Sequence, residues 1–217
     1  MPGQSGELLK RYRIRRIVNT FIAAAVAGSW LAMALYGKGS LAENGLGNLK
    51  YFTVQSNLLE GAVSVLWLLV SGSGSAWEQR AERLKYIAAA AVGLTFAVVI
   101  GFLGPLYGYR AMFTGANLFF HMIIPLVSMA EIVFLSDALF TTKDNNYTVI
   151  PPLVYGTAYL INNLINGTGE WPDTNDWYAF LAWGYPAGIA IFAVICAVTW
   201  LLGFLMRKIH PGRKPFS

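Results

Sequence analysis

The chain has 217 residues, of which 56% are hydrophobic and only 12% are charged, and its mean hydropathy is +0.50. A soluble domain normally carries about twice that share of charged residues, so the composition excludes an ordinary soluble globular protein. A net charge of +5 is also typical of nucleic-acid-binding proteins. The basic residues flank apolar runs and form no separate basic domain, however, so we predict no nucleic-acid partner.

The apolar residues fall into six runs, each close to the length of about 20 residues that a helix needs to cross a bilayer. We therefore predict an all-α membrane protein, a six-transmembrane-helix bundle. Its spans cover 17–36, 52–70, 85–104, 117–137, 148–166 and 181–206. They form a single domain over 17–206, between a basic tail over 1–16 and a second basic tail over 207–217.

Lysine and arginine are unevenly divided between the two ends of the predicted spans. Thirteen lie in the tails and in the loops after the second and fourth spans, whereas Lys38, Lys50 and Arg110 lie in the remaining loops. Cytoplasmic segments of membrane proteins carry the excess of basic residues. We therefore predict that both termini are cytoplasmic and that bilayer lipids surround the bundle.

Thr53 and His121 are the candidate catalytic pair. Thr53 lies one to two residues into the second predicted span, and His121 lies about four residues into the fourth. Both of these spans begin at the outer face, so at 1.5 Å per residue the two side chains differ in depth by only a few Å. A hydroxyl beside an imidazole is a common arrangement for a nucleophile and its base.

Each of these two spans carries further polar residues on one helical face. On the second span the polar positions are Thr53, Ser56, Asn57, Glu60 and Ser64, and on the fourth they are Asn117, His121, Ser128 and Glu131. Such stripes face the bundle interior, where serine, threonine and asparagine commonly hold helices together. We interpret Glu60 and Glu131 as members of a structural network, protonated or hydrogen-bonded, because a bare carboxylate in lipid is costly. Pro125 has no N–H, so we expect a kink beside His121.

The outer rim supplies candidate substrate-binding residues, namely Tyr107, Arg110, Asn162, Asn163 and Trp171. Arg110 suits a lipid carboxylate or phosphate, or alternatively an ion pair with Glu170. An interfacial aromatic belt would equally account for Trp171, Trp177 and Trp183. No metal-ligand or cofactor motif is evident, so we expect neither a metal nor a cofactor.

Three sequence segments resemble those of a known family. They are Lys50-Tyr-Phe-Thr53, Asn117-x-x-x-His121 with Glu131 ten residues later, and the loop Gly169-x-Trp171-Pro172. Together they resemble the androgen-induced/androgen-dependent family of multi-pass membrane proteins, in particular its bacterial branch. The resemblance implies a bacterial plasma-membrane location and an intramembrane threonine hydrolase acting on fatty-acid esters of hydroxy fatty acids, with Thr53 as nucleophile and His121 as its partner.

The residues around this pair suggest how the reaction would proceed. His121 would take the proton from Thr53, and the oxygen would attack an ester carbonyl of a lipid from the outer leaflet. Asn117, Gln55 and Asn57 are the candidate donors to the oxyanion, and Asn117 is also the candidate that orients the imidazole. Two alternatives remain open: an acyltransferase that uses the same pair, and a carrier of lipids or small molecules that uses the polar stripe.

Overall fold

The computed structural model describes residues 2–36, 45–170 and 173–210, and these ranges contain helices and loops but no strand. The helices are α1 (Pro2–Tyr36), α2 (Phe52–Val70), α3 (Ala76–Tyr107), α4 (Ala116–Leu135), α5 (Thr142–Tyr147), α6 (Ile150–Asn166) and α7 (Tyr185–Ile209). The predicted all-α class is therefore confirmed. Lys38, Trp171 and residues 211–217 of the second basic tail lie outside the described ranges.

Five of these helices, α1, α2, α3, α4 and α7, are long and apolar enough to cross a membrane. This supports a multi-pass membrane protein, although it yields five candidate spans where the sequence predicts six. The difference lies at α6, which has 17 residues. At 1.5 Å per residue α6 is about 25 Å long, short of the roughly 30 Å of hydrocarbon in a typical bilayer.

Three chain segments meet at one end of the bundle, which we call the terminal end. Arg11 near the start of α1 forms an ion pair of 3.0 Å with Asp137, just after α4. The ring of His210, which follows α7, lies 3.2 Å from the Val133 carbonyl oxygen and 2.9 Å from that of Ala138. The start of α1 and the end of α7 therefore lie together.

Helices α5 and α6 return the chain from the terminal end to the opposite end, which we call the cavity end. Thr142, the first residue of α5, accepts a hydrogen bond of 3.2 Å from Arg207 near the end of α7. Further along, the Tyr155 hydroxyl in α6 donates to the Lys50 carbonyl at the start of α2, at 2.6 Å. Together α5 and α6 therefore span the distance between the terminal end and the cavity end, which α6 alone does not.

Helix α3 occupies the centre of the bundle and packs against α2, α4 and α7. Its segment 88–92, Ala-Ala-Ala-Ala-Val, is completely buried. Small side chains allow neighbouring helices to approach closely. In lipid, close packing of this kind, and not the hydrophobic effect, holds helices together. Glu82 and Lys85, which precede this segment in α3, are consequently drawn into the interior, whereas Arg80 and Arg83 stay exposed.

Two helices start well before the predicted spans. Helix α1 begins at Pro2 and α3 at Ala76, whereas spans were predicted from 17 and 85. Arg15 and Lys85, which the sequence analysis counts among cytoplasmic basic residues, are only 5% and 0% exposed. The helices extend beyond the apolar runs because these two cations are neutralised by buried carboxylates. The predicted bounds of α2, 52–70, are confirmed.

Candidate active site

A cavity of about 710 Å³ lies at the cavity end of the bundle, between α2, α3, α4, α6, α7 and the loop that precedes α7. Its wall is mainly apolar, and the wall includes Phe102, Phe120, Phe192 and Leu94. A cavity of this size suits a small or drug-sized molecule, and its apolar wall suits a hydrocarbon chain. Thr53, Asn117 and His121 all contribute to this wall.

Thr53 lies in the first turn of α2, where backbone N–H groups have no partner within the helix. Neither the hydroxyl nor the N–H of Thr53 makes a hydrogen bond to any residue that the structure describes. Its carbonyl oxygen, by contrast, accepts bonds from Ser56 at 3.2 Å and from Asn57 at 2.7 Å. The Thr53 carbonyl is thus fixed, while its hydroxyl and its N–H remain available at the cavity wall.

His121 is held by its Nδ1 atom, which lies 2.8 Å from the carbonyl oxygen of Met112. A carbonyl oxygen only accepts hydrogen bonds, so Nδ1 carries the proton and, in a neutral ring, Nε2 carries the lone pair. The ring is 8% exposed. The Nε2 atom has no hydrogen-bond partner among the described residues, so it is the atom that can accept a proton.

The turn of α4 that carries His121 is a widened π-helical turn, Phe119–Ile123. The N–H of Ile124 donates to the Phe119 carbonyl, five residues back, so the carbonyl of Phe120 loses its usual partner. The Asn57 side chain of α2 donates to that carbonyl at 3.1 Å. Pro125, which has no N–H to donate, follows directly, and π-turns of this kind are frequent at functional sites.

Asn57 therefore joins α2 and α4, since one amide nitrogen donates both to the Thr53 carbonyl and to the Phe120 carbonyl. It is 0% exposed and does not line the cavity. Gln55 is exposed, donates to the Leu49 carbonyl at 2.8 Å and is also absent from the wall. The structure thus corrects the assignment of Gln55 and Asn57 as oxyanion donors, because both amides are committed to backbone carbonyls elsewhere.

Removing this bridge is expected to loosen the pair of helices. In Asn57→Ala the buried Phe120 carbonyl loses its donor, which should lower the free energy of unfolding by about 1–3 kcal/mol. The half-buried Asn162, which accepts a bond from Asn166, provides the matched control, and Asn162→Ala should change that free energy by less than about 0.5 kcal/mol. Denaturant unfolding in detergent measures both. Equal stability of the two variants would contradict the bridging role.

Asn117 lines the cavity, but it does not orient the imidazole. Its amide nitrogen lies 3.4 Å from the Ala111 carbonyl, whereas the Met112 carbonyl makes the contact with Nδ1 of His121. A short helical turn, Tyr109–Met112, presents both carbonyls to α4. Sequence analysis missed Met112 because a backbone acceptor leaves no signature in the side-chain pattern. Asn117 remains a candidate donor on the wall.

The candidate substrate-binding residues do not all lie at the cavity wall. Tyr107 lines the cavity, whereas Arg110 is exposed and does not, and no ion pair joins Arg110 to Glu170 although the structure describes both. Asn163 is buried and donates to the Tyr159 and Asn175 carbonyls at 3.0 Å, which holds the end of α6 to the following loop. Asn162 pairs with Asn166. Trp171 lies outside the described residues.

An aromatic loop over residues 176–181 forms a part of the site that the sequence analysis missed. The Tyr178 hydroxyl accepts a bond of 2.9 Å from the Phe52 N–H, directly beside Thr53. Burial raises the pKa of Tyr178 well above its ordinary value, so the phenol stays neutral. Asp176 accepts bonds from the Tyr159 hydroxyl and the Leu181 N–H, which fixes the loop. Trp177 therefore lines the cavity and is more than a belt residue, whereas Trp183 is 77% exposed.

Glu60 and Glu131 do not line the cavity. Each forms a buried ion pair, Glu60 with Lys85 and Glu131 with Arg15. Glu60 lies about two helical turns after Thr53, and Glu131 about three turns after His121, which agrees with a network deeper in the bundle.

The chain matches no protein-family model, and comparisons with curated proteins and with solved structures found no similar protein.

Proposed function

We propose that the chain is an intramembrane hydrolase of lipid esters, with Thr53 as the nucleophile and His121 as the base. The supporting observation is that one largely apolar cavity is lined both by an unbonded threonine hydroxyl and by a histidine whose Nδ1 is fixed by the Met112 carbonyl. The sequence resemblance to the androgen-induced/androgen-dependent family points to the same pair. Fatty-acid esters of hydroxy fatty acids are the proposed substrates.

In the proposed reaction Nε2 of His121 takes the proton from the Thr53 hydroxyl as its oxygen attacks the ester carbonyl carbon. The C–O bond to the alcohol then breaks, and the imidazolium returns the proton to the departing alcohol. Water, activated by the same Nε2, hydrolyses the acyl–threonine ester and releases the fatty acid. The two groups make no direct hydrogen bond in the described structure. Catalytic hydrogen bonds are often long in unliganded sites and shorten when substrate binds.

The developing oxyanion has two donors within reach in this proposal. One is the unbonded N–H of Thr53 itself, at the N-terminus of α2, where the helix dipole also favours negative charge. The other is the Asn117 amide on the cavity wall. A single well-placed donor of this type contributes about 3–4 kcal/mol to transition-state stabilisation.

The proposed topology has six crossings, with α5 and α6 together forming the fifth. The meeting of the start of α1 and the end of α7 at the terminal end supports it. With the excess of basic residues, this arrangement favours a terminal end in the cytoplasm and a cavity in the outer half of a bacterial plasma membrane.

Labelling with a fluorophosphonate probe tests the proposal, because the probe forms a covalent bond with an activated hydroxyl and releases fluoride. We expect the wild type to be labelled and both Thr53→Ala and His121→Ala to lose the label at unchanged expression. Thr157, an exposed threonine on α6, provides the matched control, and Thr157→Ala should be labelled normally. Labelling that persists in Thr53→Ala would exclude Thr53 as the nucleophile.

A further inference from the structure

Below the cavity, five charged side chains from four helices form one buried cluster. They are Arg15 of α1, Glu60 of α2, Glu82 and Lys85 of α3, and Glu131 of α4. Four of the five are at most 5% exposed, and the side chain of Glu82 is 13% exposed. The cluster thus sets three carboxyl groups against two cations, and an uncompensated charge in such surroundings is costly.

Glu82 is the best satisfied of the three carboxyl groups. Arg15 donates to both of its oxygens, and further bonds come from Trp67 at 2.7 Å and Ser136 at 3.1 Å. Arg15 also stacks on the Trp67 ring, with its guanidinium carbon 4.4 Å from the ring centroid. Glu82 and Arg15 therefore form a complete ion pair, and the excess of one carboxyl group falls on Glu60 and Glu131.

Glu60 and Glu131 each have one paired oxygen and one buried oxygen without a hydrogen bond. Lys85 contacts Oε1 of Glu60, and Arg15 contacts Oε1 of Glu131, whereas the two Oε2 atoms have no hydrogen-bond partner. The Lys85 nitrogen lies 3.6 Å from Oε2 of Glu131, too far for a hydrogen bond. Because Arg15 is shared with Glu82, the two acidic groups have less than two full cations between them and cannot both be ionised at low cost.

Ser128 of α4 is the polar side chain that faces Glu60 from the neighbouring helix. It is 0% exposed, faces Glu60, and its hydroxyl oxygen also lacks a hydrogen-bond partner. Buried hydroxyl and carboxyl oxygens are rarely left without partners. The Ser128 hydroxyl can donate to or accept from Glu60, and one proton on the Glu60 and Glu131 carboxyl groups would make the cluster of five neutral.

We propose that Glu60 and Glu131 form a buried dyad that binds one exchangeable proton, with Ser128 as its hydrogen-bond partner. Lys85 then balances the single negative charge that the dyad retains, and Arg15 balances Glu82. None of the dyad residues lines the cavity, so this site is separate from the proposed catalytic pair and does not depend on it.

Infrared difference spectroscopy of the full chain in detergent tests the dyad, because a protonated carboxyl group has a C=O stretch that shifts in D₂O. At neutral pH we expect this band in the wild type and its loss in both Glu60→Gln and Glu131→Gln. Glu78, on the same helix as Lys85 but with its carboxylate bound to the Gly72 and Gly74 N–H groups, provides the control. Glu78→Gln should retain the band.

Thermal unfolding separates the remaining outcomes. Glu60→Gln substitutes a neutral isostere for a neutral acid, so it should unfold at the wild-type temperature or above. A band that is absent from the wild type, or that persists in Glu60→Gln, would overturn the proposal. Sodium binding would also overturn it. In that case sodium, compared with choline at the same pH, would raise the unfolding temperature of the wild type but not that of Glu60→Gln, and the dyad would hold a sodium ion.

Discussion

Replacing Thr53 by alanine is expected to slow the hydrolysis of a long-chain fatty-acid ester by at least about a thousand-fold, because the variant lacks the proposed nucleophile. Thr53→Ser should remain active, since it keeps the oxygen and the backbone N–H and loses only a methyl group. The expected result is therefore a loss that depends on the oxygen and not on the volume of the side chain. Release of free fatty acid from purified protein in detergent measures it.

A double variant sharpens this expectation. If Thr53 and His121 act as one unit, Thr53→Ala/His121→Ala should be about as slow as either single variant, because the second change removes a group that has already lost its function. Two independent contributions would instead multiply. Expression and unfolding temperature serve as controls, and Thr157→Ala should hydrolyse at the wild-type rate. Activity of Thr53→Ala close to that of the wild type would contradict the proposed mechanism.

The sequence predicts those site residues whose positions follow from the helical repeat and from the order of the spans along the chain. Thr53 and His121 follow from polar residues at matching depths in two helices that start at the same end, and the structure places both on one cavity wall. The bounds of α2, predicted from a largely apolar segment of 19 residues, agree with the structure. Pro125 predicts an irregular helix beside His121, but the sequence does not predict the π-turn, because its stabilising partner Asn57 belongs to another helix.

What the sequence analysis missed depends on contacts between distant segments. The Met112 carbonyl that orients His121 is a backbone atom, and the aromatic residues of the loop near Asp176 have the same composition as an interfacial belt. Arg15 and Lys85 were assigned to the cytoplasm because hydropathy treats each charge separately. A cation becomes compatible with the bundle interior only when carboxylates from other helices meet it, and that pairing is not visible in any single segment.

Lys85 is the residue at which this pairing should have its largest effect on stability. Its ammonium group is 0% exposed and contacts Glu60, and it donates to Ser64 at 3.0 Å. In Lys85→Met the acidic groups of the cluster lose one of their two cations. Breaking one partner of a buried ion pair costs about 3–5 kcal/mol, so we expect a loss of that size in the free energy of unfolding.

Lys143 provides a matched control, because it is an exposed lysine at the same end of the bundle, in α5. Lys143→Met should change the free energy of unfolding by less than about 1 kcal/mol. The double variant Lys85→Met/Glu131→Gln should recover part of the loss, since it removes the carboxylate whose charge Lys85 balances. Whether the double variant regains stability distinguishes two roles for Lys85. If Lys85 acts only by filling space, the second substitution leaves the loss unchanged; if it acts by its charge, removing the facing carboxyl group restores stability.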